Sequence, residues 1–252
     1  MTPEFGNVRT AIVTGGAKRI GAELCRALAA DGWRVLIHCH QSRSDADALA
    51  AEIDASVVAA DLADPAAAAT IFAAVDPGAP VGLLVNNASL FEYDRLADFP
   101  VERWDRQHAV NLRAPTLLIQ AFAAALPDGA NGLVVNLLDA KLASLNPDYF
   151  SYTVSKAGLM AVTELAARAL SPRIRVNGIA PAVTMVSGPQ SRDNFDAAHT
   201  HNPLRRGVTA EQIAGALRYI IATPTLHAQV LTLDAGQRLF GMPRDVAYMV
   251  ER

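Results

Sequence analysis

Short apolar runs alternate with helix-like segments along nearly the whole chain, and this alternation leaves few folds open. Residues 9–14, 33–38, 56–60, 81–86, 133–138, 174–179 and 229–233 read as strands. Between them, residues 19–30, 45–53, 65–74, 101–126, 149–170 and 210–222 have the pattern of helices, the fourth interrupted near Pro115. Apolar strands separated by helices pair in parallel and are covered on both faces. No Pro/Gly/Ser-rich linker and no repeat divides the 252 residues. The expectation is an α/β chain: one doubly wound domain over residues 1–252, with a central parallel sheet of about seven strands. A C-terminal tail, residues 237–252, contains Leu239, Phe240, Met242, Val246, Tyr248, Met249 and Val250, too apolar for a disordered terminus.

Composition excludes several classes of function. A formal net charge of −3 offers no footprint for nucleic acid or an anionic membrane. Residues 1–10 hold no apolar targeting core, and no apolar run reaches the length of a membrane span. Cys25 and Cys39 have neither metal-ligand nor disulfide spacing and read as reduced core thiols. His199 and His201 lie in a polar stretch, residues 193–203, with no second ligand pair; a loop covering a substrate suits it better than a metal site. A soluble cytoplasmic protein is expected.

Thr14-Gly15-Gly16-Ala17-Lys18-Arg19-Ile20-Gly21 closes the first strand and opens the first helix. Glycines there permit a tight turn and let backbone N–H groups approach a pyrophosphate at the helix N-terminus, as in a Rossmann-type domain. The spacing is not G-x-G-x-x-G, so the turn alone is also compatible with an ordinary strand-to-helix loop. The second strand ends His38-Cys39-His40-Gln41-Ser42-Arg43, with no acid before Asp45 to bind ribose hydroxyls. Arg19, Ser42 and Arg43 offer donors to a 2′-phosphate instead, which favours NADP(H) over NAD(H). Asp61 suits either an adenine amino group or the N-cap of the following helix.

Tyr152 and Lys156 are spaced i, i+4, so on a helix a phenol and an ammonium point into one cleft. A neighbouring ammonium favours the phenolate and is expected to lower the Tyr152 pKa towards the working pH of a general acid.

With these residues in place the chain resembles the short-chain dehydrogenase/reductase family over nearly its full length. The resemblance runs through Thr14-Gly15, Asn86-Asn87-Ala88, Asn111, Tyr152-x-x-x-Lys156, Arg175-Val176-Asn177-Gly178 and Leu233-Asp234-Ala235-Gly236. It implies that Asn111 holds a proton-relay water, that Tyr152 is the acid and that Lys156 anchors the ribose. It places Gly15, Arg19, Ile20, Gly21, His38, Ser42, Arg43, Asp61, Leu62, Asn87, Ala88, Ser89, Pro181, Val183 and Thr184 at the cofactor, together with Tyr152 and Lys156. It also implies a homotetramer; the apolar residues from Leu239 to Val250 need a surface to cover, so the tail is expected at a subunit interface, able to close a neighbouring active site, the alternative being a tail folded back on its own subunit. Pro181-Ala182 and Ala235-Gly236 depart mildly from the family's Pro-Gly and Gly-Gly.

The departure with chemical consequences is Asp139, where the wider family places a serine that steadies a carbonyl oxyanion. An ionised carboxylate about 4 Å from an oxyanion costs roughly 4 kcal/mol at an effective dielectric of 20. Either Asp139 is protonated or the substrate develops no oxyanion, and reduction of a C=N bond meets the second condition. Asp139, Tyr152 and Lys156 together resemble the pteridine reductase branch. Further matches are Gly16-Ala17-Lys18-Arg19-Ile20-Gly21, His38-x-His40-x-Ser42 and Asn87-Ala88-Ser89-Leu90-Phe91. There the resemblance implies that Phe91 stacks a pterin and that Arg19 and Ser89 contact pterin and cofactor phosphates, although Phe91 also suits a core plug. Gln41 stands where some relatives have an arginine. The expectation is an NADPH-dependent reductase of a pterin, dihydropterin or folate-type substrate, with Asp139, Tyr152, Lys156 and Asn111 as catalytic residues and no metal. The alternatives are a reductase of another carbonyl or imine and a catalytically idle NADP-binding regulator.

Overall fold

The computed structural model describes residue 5, residues 8–187 and residues 190–250. Most of residues 1–7 of the N-terminal stretch and the last two residues of the tail lie outside the described residues. Seven strands form the sheet: β1 (Thr10–Val13), β2 (Arg34–Cys39), β3 (Ser56–Ala59), β4 (Val81–Asn86), β5 (Gly132–Leu137), β6 (Ile174–Pro181) and β7 (Val230–Leu233). The helices that matter below are α1 (Arg19–Ala30), α2 (Arg43–Ile53), α3 (Ala67–Ala73), α4 (Val101–His108), α5 (Ala114–Ala125), α6 (Phe150–Leu170), α7 (Arg192–Thr200), α8 (Ala210–Ala222) and α9 (Val246–Met249).

Every adjacent strand pair is parallel and the order is β3-β2-β1-β4-β5-β6-β7. The reason lies in the strand sequences. Successive side chains point to opposite faces, and both faces here are apolar. On β4, Leu83 and Val85 enter one core while Leu84 enters the other. On β5, Leu133, Val135 and Leu137 face the first core and Val134 the second. The first core lies under α1 and α8, which pack together, and the second under α3 and α5. Each such buried aliphatic side chain contributes about 1.5–3 kcal/mol. Strand order reverses between β1 and β4, so the loops after these strands diverge and open a crevice at their C-terminal ends.

Two local expectations are corrected. Residues 101–126 are not interrupted at Pro115: α4 runs through a π-helical turn at Ala109–Arg113 into α5. Proline lacks an N–H for the carbonyl four residues back and its ring crowds that carbonyl, so a wider turn absorbs the misfit while the chain stays helical. The polar stretch expected as a loop is largely helix α7, because Ser191 accepts from the Asn194 N–H and caps it.

The tail makes intrachain contacts of the kind the folded-back alternative requires. Residues 244–248 pack on their own chain: Arg244 pairs with Asp148 at 2.7 Å and Ala247 O accepts from Asn194 Nδ2 at 2.8 Å. The buried carboxylate of Asp148, 97 residues before Asp245, accepts from the Asp245 N–H at 2.8 Å and helps hold the segment. Leu239, Phe240 and Met249 stay exposed.

Candidate active site

At the end of β1 the chain turns sharply. Gly15 takes φ +61°, and a Cβ on Gly21 would stand 2.1 Å from the Gly15 carbonyl oxygen, so a side chain at either position would open the turn. Thr14 Oγ1 accepts from the N–H groups of Asn87 and Ala88, each at 3.0 Å, and Asn87 Nδ2 donates to Thr14 O at 2.9 Å. The switch point between β1 and β4 is thereby stitched together. His38 supports the turn from behind: the Gly15 N–H donates to Nδ1 at 3.2 Å and Nε2 lies 3.1 Å from Ala60 O. That pairing fixes a neutral imidazole with its hydrogen on Nε2, and burial lowers the pKa of this ring.

The N-terminus of α1 has no side-chain cap, leaving first-turn N–H groups without an intrahelical partner. It opens on a cleft of about 930 Å³ lined by Gly15, Lys18, Arg19, Ile20, Gly21 and Ser42 at this end. Asn87, Ala88 and Ser89 line it too, and Pro181, Val183 and Thr184 form the wall after β6. Arg19 reaches across that wall, donating to Val186 O at 2.6 Å. An uncapped helix end, a glycine turn with no room for a Cβ and flanking cations fit a dinucleotide phosphate. Four residues expected at the cofactor stand outside the cleft lining: His38, which supports the turn from behind, and Arg43, Asp61 and Leu62. Arg43 pairs with Asp47 at 2.8 Å, Asp61 accepts from the Ala63 N–H at 2.9 Å, and Leu62 is buried in the second core.

At the other end, β5 delivers Asp139 and the first turns of α6 deliver Tyr152 and Lys156. The Tyr152 hydroxyl donates to Asp139 Oδ2 at 2.7 Å, and the Lys141 N–H donates to Asp139 Oδ1 at 2.8 Å. Lys156 Nζ donates to Leu137 O at 2.7 Å and is almost wholly buried. Burial lowers Lys156 to about 8, with Asp139 pulling the other way. The Tyr152 pKa is raised, which corrects the expectation of a phenol acidified by its lysine. Burial is the first cause, and the carboxylate that accepts the phenol's hydrogen bond is the second, because a phenolate there would face Asp139 at short range.

Asn111 is positioned by the π-helical turn and is fully buried. Oδ1 accepts from Leu90 N and Ser89 Oγ; Nδ2 donates to Leu90 O and Ser155 Oγ. All four hydrogen-bonding positions of the amide are occupied. The side chain therefore braces the segment after β4 against α6.

Phe91 is no core plug. It is 39 % exposed, lines the cleft, stacks on Tyr149 at 4.1 Å between centroids and meets Tyr152 edge-on at 4.7 Å. Tyr149, Lys141 and Asp245, which the sequence does not mark as site residues, also line this end, as does Tyr248 of the apolar tail. Tyr149 had a signal, since it precedes Tyr152 by three residues and α6 brings both to one face. Asp245 had none.

An α/β sheet with a phosphate-shaped turn at one end of a cleft and a Tyr–Lys–Asp group at the other defines a dinucleotide-dependent oxidoreductase. Residues 15–237 match the family profile described as Enoyl-(Acyl carrier protein) reductase. The crystal structure of FolM Alternative dihydrofolate reductase 1 from Brucella suis in complex with NADP superposes with a TM-score of 0.88 at 40% identity, covering 91% of this chain and 95% of that one. Pteridine reductase 1 of Leishmania tarentolae is 30% identical over 91% of this chain and 96% of its own length. The granaticin polyketide synthase putative ketoacyl reductase 2 of Streptomyces violaceoruber is 32% identical, covering 95% and 100%. The chain belongs to the short-chain dehydrogenase/reductase family, in its pteridine reductase-like branch.

Proposed function

We propose that this chain is an NADPH-dependent reductase of a pterin, dihydropterin or folate-type substrate, with Tyr152 as proton donor. The observation that carries the reading is the 2.7 Å hydrogen bond from the Tyr152 hydroxyl to Asp139. A carboxylate at that place opposes a developing oxyanion and favours a substrate that gathers a proton on nitrogen. NADPH supplies the hydride when bound. Tyr152 Oη holds the proton that passes to the ring nitrogen, and Asp139 then accepts from the new N–H or from an exocyclic amino group. Lys156 keeps a positive charge behind the phenol. Phe91 offers a flat wall, and base–aromatic stacking is worth about 1–3 kcal/mol per ring. Ser42, Lys18 and Arg19 surround the phosphate end, which favours NADPH over NADH. The relatives named for dihydrofolate and pteridine reduction support the substrate class, and the ketoacyl reductase relative supplies the rival.

The test follows NADPH absorbance with oxidised biopterin, 7,8-dihydrobiopterin, dihydrofolate and a 3-oxoacyl thioester. The reading expects the highest kcat/KM on a pterin or dihydrofolate. A thioester preferred by tenfold or more overturns it.

A further inference from the structure

Asp148 is a hub that the catalytic groups do not explain. It lies two residues before α6, is 1% exposed and accepts four hydrogen bonds. Two come from Arg244, at 2.7 and 2.9 Å, one from the Asp245 N–H at 2.8 Å and one from the Tyr93 hydroxyl at 3.2 Å. A bidentate guanidinium on a buried carboxylate fixes orientation as well as position. The clasp seats the C-terminal segment over the substrate end of the cleft, where Asp245 and Tyr248 form part of the lining. Tyr248 packs edge-on against Tyr93 at 5.4 Å.

Asp245 has one committed oxygen and one available. Oδ1 accepts from the Ala247 N–H at 3.1 Å. Oδ2 lies 3.8 Å from Lys141 Nζ, an ion-pair contact too long for a hydrogen bond, and among the described residues nothing closer is bonded to it. Lys141 is itself occupied, since its ammonium donates to Asp148 O and its backbone N–H to Asp139. A mostly buried carboxylate that lines the cleft thus keeps acceptor capacity unspent on Oδ2, near a second carboxylate and one ammonium. Burial raises the Asp245 pKa, as it does for a carboxylate short of donors.

We propose that Asp245, held in place by the Arg244–Asp148 clasp, is a specificity-determining residue whose Oδ2 accepts a hydrogen bond from an N–H or amino group of a flat nitrogen heterocycle. The inference rests on the proposed function and deepens it: the C-terminal segment of the same chain reads the donor edge of the substrate. Flat substrates that present only carbonyl acceptors are repelled by the same oxygen.

The experiment compares the wild type with Asp245→Asn, Asp245→Glu, Arg244→Ala and the Arg244→Ala/Asp245→Asn pair. Each is assayed with 7,8-dihydrobiopterin and with phenanthrenequinone, which is flat and has no donors. Asp245→Asn is expected to raise KM for dihydrobiopterin about tenfold, with a smaller change in kcat, and to lower KM for the quinone. Asp245→Glu retains the charge and keeps KM for the pterin within about threefold of wild type. Arg244→Ala reproduces the pterin loss, and the double variant is no worse than Arg244→Ala alone, because an undocked Asp245 contributes nothing further. An unchanged pterin KM in Asp245→Asn overturns the proposal, as does an equal rise on both substrates. Additive losses in the double variant overturn the role of the clasp. A wild-type protein that reduces the quinone but no pterin overturns the proposed function itself, an outcome distinct from pterin turnover indifferent to Asp245.

Discussion

Replacing Asp139 with serine tests the charge at the centre of the site. The carboxylate has two partners, Tyr152 Oη at 2.7 Å and the Lys141 N–H at 2.8 Å. Serine is also a good N-cap, so the short 3₁₀ turn at Ala140–Ala143 should keep its start and stability should fall by less than about 1 kcal/mol. For a ketone, removing a charge about 4 Å from the developing oxyanion relieves roughly 4 kcal/mol at an effective dielectric of 20, an upper limit of nearly three decades in rate. For a pterin, exchanging a charged acceptor for a hydroxyl forfeits about 1.5–3 kcal/mol, or roughly 10- to 100-fold in kcat/KM. The two substrate types should therefore move in opposite directions. The loss of the carboxylate also removes one of the causes that raise the Tyr152 pKa. A phenol donates only while protonated, so any alkaline limb of kcat should move to lower pH in Asp139→Ser. NADPH absorbance with dihydrobiopterin and an acetoacetyl thioester, from neutral to alkaline pH, reads both effects. Equal losses on the two substrates, with an unmoved profile, would refute the charge argument and leave Asp139 a structural cap.

Tyr152→Phe and Lys156→Ala should each reduce kcat by about 10²- to 10⁴-fold without unfolding the protein, and near wild-type turnover in either would refute their assignment. Arg43→Glu should weaken NADPH more than NADH in fluorescence titrations, which requires the guanidinium to leave Asp47 on binding; equal weakening would return the 2′-phosphate to Ser42 and Lys18. His38 has a folded pKa below its unfolded value, so its contribution to stability is present above about pH 6.5 and is lost as pH falls towards the folded value. His38→Leu should weaken NADPH by loosening Gly15 and should flatten that acid limb in thermal melts recorded from pH 8 to pH 5; a limb of unchanged depth would assign it to other groups.

The sequence by itself determined whatever depends on local period and on residue type. Apolar runs spaced by helices specified a parallel sheet, the glycines after β1 specified a turn that no side chain enters, and i, i+4 spacing placed Tyr152 and Lys156 on one face of α6. Tertiary structure alone decided the rest, because burial and through-space charge follow from segments that meet only after folding. The proton affinity of Tyr152 turned upward because a buried site brings Asp139 within hydrogen-bonding distance, a contact that helical spacing does not encode. The Asn111 side chain braces the fold because the segment after β4 and Ser155 on α6 converge on its amide. The tail came to its own cleft because Asp148 and Arg244, 96 residues apart in the chain, meet at 2.7 Å. A pattern read over one or two turns of helix holds no information about a separation of that length.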